Sequence, residues 1–449
     1  MAAKARTSWR CQQCGYAVPK WYGRCPDCGE FGTFVEEVMP GTSGARSHAV
    51  ARARSPVRLG DVEATSDARV ATGIAEFDRV LGGGLVRGSL VLIGGEPGIG
   101  KSTLLLQAAA SLAAAGSRVL YVCGEESVVQ VKLRAERIGA ADSIWLLPET
   151  DAAAVEATAL VEQPDILVID SIQTMLDPDL EGVAGSVGQV RACAARLMRI
   201  AKAHGITVLV VGHVTKEGTL AGPRVLEHTV DTVLSFEGDR DHFFRIVRAT
   251  KNRFGSVSEI GVFEMGEAGL TGVTNPSGVL LSGRAEDAPG SCVLAAIEGT
   301  RPLLVEIQAL VTPSYLQMPR RLAVGVDAAR VLQVLAVLER RGGLAFGQHD
   351  VYVSVAGGVR IAEPAVDVPL ALALASARSD RPLAAGTVAF GEIGLTGELR
   401  PVSQPSARLA EAARLGLAHA VVPPLPQGID KPAGLRVART VAELVALLG

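Results

Sequence analysis

Eight consecutive residues of this 449-residue chain have the types and spacing to grip a triphosphate. Gly95-Glu96-Pro97-Gly98-Ile99-Gly100-Lys101-Ser102 fits the pattern G-x-x-x-x-G-K-[ST], and Thr103 follows it. In such a loop the glycines let backbone N–H groups approach phosphate oxygens, and the positive end of the next helix adds to their pull. Lys101 then reaches the β- and γ-phosphates while the Ser102 hydroxyl holds Mg2+. Lysine is scarce here, eight against 36 arginines, so a lysine kept at this position is a further pointer to nucleotide chemistry.

Three acids stand where hydrolysis would need them. Ile166-Leu167-Val168-Ile169-Asp170 is an apolar run closed by a carboxylate. It reads as a buried parallel strand that delivers Asp170 to the sheet edge where ligands sit, to hold Mg2+. Glu125 and Glu126 close the run that begins at Ser117, and either can polarise the attacking water.

A second chemistry lies near the N-terminus. Cys11-x2-Cys14-x10-Cys25-x2-Cys28 offers four thiolates in two turns, the spacing of a tetrahedral Zn2+ site. A segment this short has little core of its own and needs the metal to fold. Lys20, Trp21, Tyr22 and Arg24 between the pairs suit contact with DNA or with protein, and the sequence leaves that choice open.

The elements that must position these residues follow from hydrophobic period. Between about 66 and 272, β-branched runs alternate with helical stretches expected at Ser102–Ala115, Ser127–Ile138 and Val187–His204. That alternation indicates an α/β domain with a mainly parallel sheet. The runs at 229–238 and 242–252 have no helix between them and are expected as antiparallel additions at one edge. Turn formers at 273–288 mark a boundary, and a helix expected at Asp327–Arg341 belongs to a separate α+β unit. The division is thus a zinc-binding module at 1–40, a basic linker at 41–65, the α/β core at 66–272, a linker at 273–288 and a last domain at 289–449.

Composition sets outer limits. At 48% hydrophobic and 20% charged residues the chain is not disordered throughout. A net charge of −3 removes any whole-chain attraction to nucleic acid or membrane, although residues 1–58 carry nine basic against four acidic side chains. No apolar run reaches the roughly 18 residues a membrane span needs, and the N-terminus has no apolar signal region. Four of the seven cysteines fall in CxxC pairs, which favours metal binding in a reducing cytoplasm over disulfides.

These motifs together resemble one family. The four-cysteine site, GGEPGIGKST, YVCGEES, ILVIDSIQT, VGHVTKEG, KNRFG at Lys251–Gly255 and GEIGLTGELRPV closely resemble the bacterial RadA (Sms) family of DNA repair proteins. The resemblance implies a RecA-like ATPase core that binds ATP and assembles as a ring, a hexamer in the family pattern. It implies binding to single-stranded and branched DNA, and branch migration of intermediates made by the RecA recombinase. By the same resemblance Glu125 is the catalytic glutamate that polarises the attacking water, and His213 senses the γ-phosphate. Loops near Met175–Gly188 and Val214–Leu226, the second with Lys216 and Arg224, would contact DNA, while Lys251 and Arg253 would complete a neighbouring subunit's ATP site.

The last 160 or so residues resemble the proteolytic domain of Lon proteases, whose Ser–Lys dyad needs a serine nucleophile and a lysine base. Here Ala365 stands at the serine position and Arg408 near the lysine position. An arginine does not deprotonate at useful pH, so the dyad is expected to be lost. A nucleotide-switched scaffold that loads or stabilises recombinase without translocating is the alternative to a motor. An ATP-dependent protease is a third reading, which the missing dyad disfavours.

Overall fold

A computed structural model describes residues 6–11, 16–39, 58, 69–140, 143–213, 225–238, 244–285 and 287–448. It divides into two compact units, one over the described residues up to 238 with Arg245–Gly272, the other from Val273 onward.

The N-terminal piece is a small antiparallel sheet in which β1 (Arg6–Cys11) pairs with β2 (Ala17–Val18) and with β3 (Phe34–Met39). Among the described residues its buried cluster is Cys11, Val18, Cys25 and Phe34, little apolar area to hold a fold unaided.

The α/β core begins with β4 (Arg69–Val70), α1 (Ala75–Leu81) and β5 (Leu85–Val86). Next come β6 (Leu90–Gly95), α2 (Lys101–Ala114), β7 (Val119–Cys123), α3 (Val128–Arg137) and β8 (Trp145–Leu147). The chain continues through α4 (Ala152–Glu162), β9 (Ile166–Asp170), α5 (Val187–His204), β10 (Thr207–His213) and α6 (Val225–Thr229). The core closes with β11 (Thr232–Glu237), β12 (Phe244–Asn252), β13 (Ile260–Gly266) and β14 (Gly269–Gly272). These strands make a nine-stranded sheet in the order β14-β13-β12-β11-β6-β10-β9-β7-β8.

Period-two alternation explains why both faces are covered. Val91 and Ile93 of β6 and Ile166 and Val168 of β9 pack with α1 and α2 on one face. Leu90 and Leu92, with Leu167 and Ile169, pack against α4 and α5 on the other. Helix starts are set by local caps: Ser127 and Gln130 form a reciprocal capping box at α3, and Asp151 accepts from Ala153 N and Ala154 N at α4.

One expectation about this sheet is corrected. β11 pairs parallel with β6 and therefore belongs to the parallel core, whereas β12 turns back antiparallel onto β11. The crossover into β11 ends in α6, five residues long, which carries too little helical period to be read from sequence.

In the second unit α7 (Pro276–Leu280) leads to β15 (Ser291–Glu298), β16 (Arg301–Pro313), β17 (Arg321–Val324), α8 (Ala328–Gly342) and β18 (His349–Val355). The remainder is α9 (Asp367–Ser379), β19 (Thr387–Ala389), β20 (Glu392–Ile393), β21 (Leu399–Arg400) and α10 (Pro405–Arg414), followed by β22 (His419–Val422), β23 (Leu435–Val437) and α11 (Val441–Ala446). Its mixed sheet runs β17-β18-β16-β15-β19-β22-β23. No helix among the described residues is long and apolar enough to cross a membrane.

Candidate nucleotide site and metal centre

β6 delivers Gly95 to the C-terminal edge of the sheet, and residues 96–100 turn the chain into α2. Gly98 and Gly100 have φ of 79° and 119°, a backbone region that glycine enters without strain. A Cβ at Gly100 would meet Met265 Cε at 2.7 Å, and one at Gly95 would meet the Phe236 carbonyl oxygen at 2.8 Å. α2 starts with no side-chain cap hydrogen bond, so no capping side chain takes up its first N–H groups. Lys101, Ser102 and Thr103 occupy its first turn. The result is a turn at a helix N-terminus, a cradle whose backbone donors can face phosphate.

Lys101 Nζ donates to the carbonyls of Gly95 and Glu96, each at 2.8 Å, and so lies across the loop. Burial lowers its pKa to about 8, while Glu125, Asp170 and Glu96 pull it back up. Ser102 Oγ donates to Asp170 Oδ1 at 3.0 Å, and Tyr121 Oη donates to Asp170 Oδ2 at 2.6 Å. Hydroxyl and carboxylate oxygens side by side are the hard donor set that Mg2+ takes, so these residues fit a magnesium nucleotide.

Of the two acids the sequence left open, Glu126 is ion-paired with Arg134. Glu125 is exposed, accepts a hydrogen bond from Ser171 Oγ and lies close enough to Lys101 to be the largest charge raising its pKa. His213 ends β10 in register with Gly95, so its backbone runs beside the start of the cradle.

Sequence reasoning missed two side chains here. Tyr121 is fully buried on β7, and Arg134 Nη1 lies 4.0 Å from Asp170 Oδ2. A phenol in the middle of an apolar strand was the available signal, because a buried hydroxyl must find an acceptor. Burial and Asp170 push the Tyr121 pKa well above its ordinary value, so the phenol stays a donor.

Lys251 and Arg253 are not brought to this cradle. Lys251 pairs with Val233, which pairs with Leu92, whereas the cradle begins at Gly95, roughly 10 Å further along the strands. Lys251 Nζ instead donates to the carbonyls of Glu227 and Val230 at the end of α6, and burial together with Arg253 lowers its pKa. Arg253 Nη1 lies 3.4 Å from Asp231 Oδ1, a buried carboxylate whose other oxygen takes Lys202 Nζ at 2.7 Å and Leu90 N at 3.0 Å. Of the two expected DNA loops, the first is anchored at its start. Met175 and Asp177 are buried, and Arg196 holds Asp177 with bonds of 3.0 and 3.1 Å. Lys216 and Arg224 of the second, and Cys14 of the metal set, lie outside the described residues.

Cys11, Cys25 and Cys28 have sulfurs within 4.8 Å of one another, with 3.7 Å between Cys11 Sγ and Cys28 Sγ. Thiolates about 2.3 Å from a tetrahedral Zn2+ stand roughly 3.8 Å apart, so the three fit that ion. Hydrogen bonds from Cys25 N to Glu30 O at 2.8 Å and from Gly29 N to Cys25 O at 3.0 Å fold the second CxxC turn around it.

In the second unit Ala365 is fully buried, and its carbonyl accepts from Gly391 N at 3.0 Å. Arg408, also fully buried, donates to both oxygens of Glu363 at 3.0 and 2.6 Å and to the carbonyls of Ser403 and Ala295. Ala365 offers no hydroxyl to act as a nucleophile, and the Arg408 guanidinium, held by Glu363, is no titratable base.

Three families match along the chain: the rubredoxin metal binding domain at 9–36, the AAA domain at 53–219 and subunit ChlI of Mg-chelatase at 322–425. DNA repair protein RadA of Bacillus subtilis is 50% identical over 441 residues, covering 97% of this chain and 96% of that protein. RadA of Streptococcus pyogenes serotype M1 is 51% identical over 438 residues, with 97% and 96% covered. The chain belongs to the RadA family of DNA repair proteins. RadA of Listeria monocytogenes is 49% identical over 424 residues, covering 94% and 93%. Among solved structures, a KaiC-like protein of Pyrococcus horikoshii aligns with 46% of this chain and 98% of its own at 21% identity, with a TM-score of 0.38. The relatives bear out the family resemblance carried by the motifs, and the nine-stranded sheet bears out the α/β class. This RadA-family chain joins a zinc ribbon to a P-loop ATPase domain and a Lon-like domain. ATP with Mg2+, and Zn2+, are its cofactors.

Proposed function

We propose that this RadA-family protein is a cytoplasmic, DNA-dependent ATPase that works as a ring, hydrolysing ATP between subunits to move on single-stranded DNA. Its task is branch migration of recombination intermediates made by RecA. Lys101 and the 95–103 loop hold the phosphates, Ser102 and Asp170 hold Mg2+, and Glu125 polarises the attacking water. Lys251 and Arg253 of the next subunit supply positive charge to the transferring phosphoryl group. His213 passes the state of the γ-phosphate to loops carrying Lys216 and Arg224. The zinc ribbon contacts DNA or RecA, and the Lon-like domain serves assembly and DNA contact without proteolysis.

One observation carries this reading. Lys251 and Arg253 lie toward the end of the sheet away from the chain's own cradle, which supports their acting on a neighbour's nucleotide. Mixing two inactive proteins tests it. Lys101→Ala and Lys251→Ala rings should each hydrolyse little ATP, but mixed rings regain turnover wherever an intact cradle meets an intact Lys251. No recovery on mixing, with co-assembly verified by sedimentation, would falsify action in trans.

A further inference from the structure

The hydrogen bond of 2.6 Å from Tyr121 Oη to Asp170 Oδ2 is a strong contact at the nucleotide site that grips no phosphate itself. The geometry points to Tyr121 as a positioning residue for Mg2+, which fixes the Asp170 carboxylate so that Oδ1 stays turned toward Ser102, the hydroxyl that would hold the metal with it. This rests on the reading of 95–103 and Asp170 as the magnesium nucleotide site.

A carboxylate on a strand end rotates about its last torsion, and which oxygen it offers is set by its partners. Two hydroxyls reach Asp170, one at each carboxylate oxygen. Ser102 Oγ lies 3.0 Å from Oδ1 and Tyr121 Oη lies 2.6 Å from Oδ2, on strands paired in register at Cys123 and Asp170. Tyr121 is fully buried between β7 and the α2 face, so its ring cannot swing away, and the hydroxyl has a fixed direction. The Tyr121 bond is the shorter of the two, 2.6 Å against 3.0 Å from Ser102. The guanidinium of Arg134 stands 4.0 Å from the same Oδ2, beyond hydrogen-bond reach and itself paired with Glu126. Tyr121 therefore makes the bond that orients Oδ2, and Arg134 adds charge on the same side.

A phenol that merely needs an acceptor would lose stability on truncation and nothing specific to metal. The test is Tyr121→Phe, which keeps the ring and removes the donor. Binding of a fluorescent ADP analogue in EDTA, where no metal contributes, should match the wild type and verifies an intact cradle. Mn2+ titration of the ADP-bound protein, followed by electron paramagnetic resonance, should then need about tenfold more Mn2+ for half-saturation. The kcat loss at low Mg2+ should be recovered at high Mg2+. An unchanged Mn2+ half-saturation with an intact cradle overturns the proposal. If Tyr121→Phe fails the EDTA control, Tyr121→Met, which also lacks the donor but repacks more freely, carries the same titration. Failure of wild-type protein to bind Mn2+ with ADP would instead overturn the site reading beneath it.

Discussion

Lys101 meets two opposing demands. It must be charged to draw in polyphosphate, yet burial in the cradle disfavours its charge and lowers the pKa to about 8. Below that pH the nucleotide-free side chain is an ammonium, and above it the proton is progressively lost. Metal-free ADP affinity should therefore be level at neutral pH and fall above pH 8 by up to about tenfold per unit, as fluorescence titration across that range would measure. An affinity that stayed level to about pH 9.5 would mean that Lys101 keeps its proton in the free protein. Spacing singled out Lys101 and Ser102, because a phosphate loop fixes where its lysine and hydroxyl stand, and an apolar run closed by a carboxylate singled out Asp170. Tyr121 and Arg134 were not singled out, because their link to Asp170 depends on which strand lies next to β9.

At the scale of elements, a metal site and a buried ion pair each hold a local structure together. Among its described residues the zinc ribbon buries Val18 and Phe34 beside Cys11 and Cys25, so metal must provide what apolar area does not. Cys28→Ala, or chelation of wild-type protein, should unfold the described residues up to about Phe34 while ADP binding at the cradle persists. Circular dichroism and ADP titration on the same sample would check both halves. In the Lon-like unit the buried Arg408 depends on Glu363 for its charge partner. Glu363→Ala should destabilise this unit by about 3–5 kcal/mol in denaturant unfolding, because a buried guanidinium loses its carboxylate. A change below about 1 kcal/mol would mean that water reaches Arg408. That Ala365 and Arg408 differ from a Ser–Lys dyad was visible in sequence. That Arg408 has become a structural cation was not, since its partner is 45 residues away and its surroundings are formed by β15 and α10.

At the scale of the whole molecule, DNA binding would depend on phosphate contacts made by loops on a chain of net charge −3. Single-stranded DNA should stimulate steady-state ATP turnover, and the stimulation should weaken as salt rises because phosphate contacts release counterions. Turnover indifferent to DNA at both low and high salt would favour a nucleotide-switched scaffold over a motor.

The order of residues alone was enough for the local chemistry: a phosphate loop, a four-cysteine metal motif, an alternating α/β pattern and the family these motifs resemble. Each depends on residues close in sequence, where spacing and backbone geometry leave few alternatives. Only the folded chain shows which strand neighbours which. Folding moved β11 into the parallel core, distinguished Glu125 from the Arg134-paired Glu126, joined Tyr121 to Asp170 and set Lys251 away from its own cradle. Strand order is a choice among long-range pairings, and a short crossover helix leaves no local period to announce it.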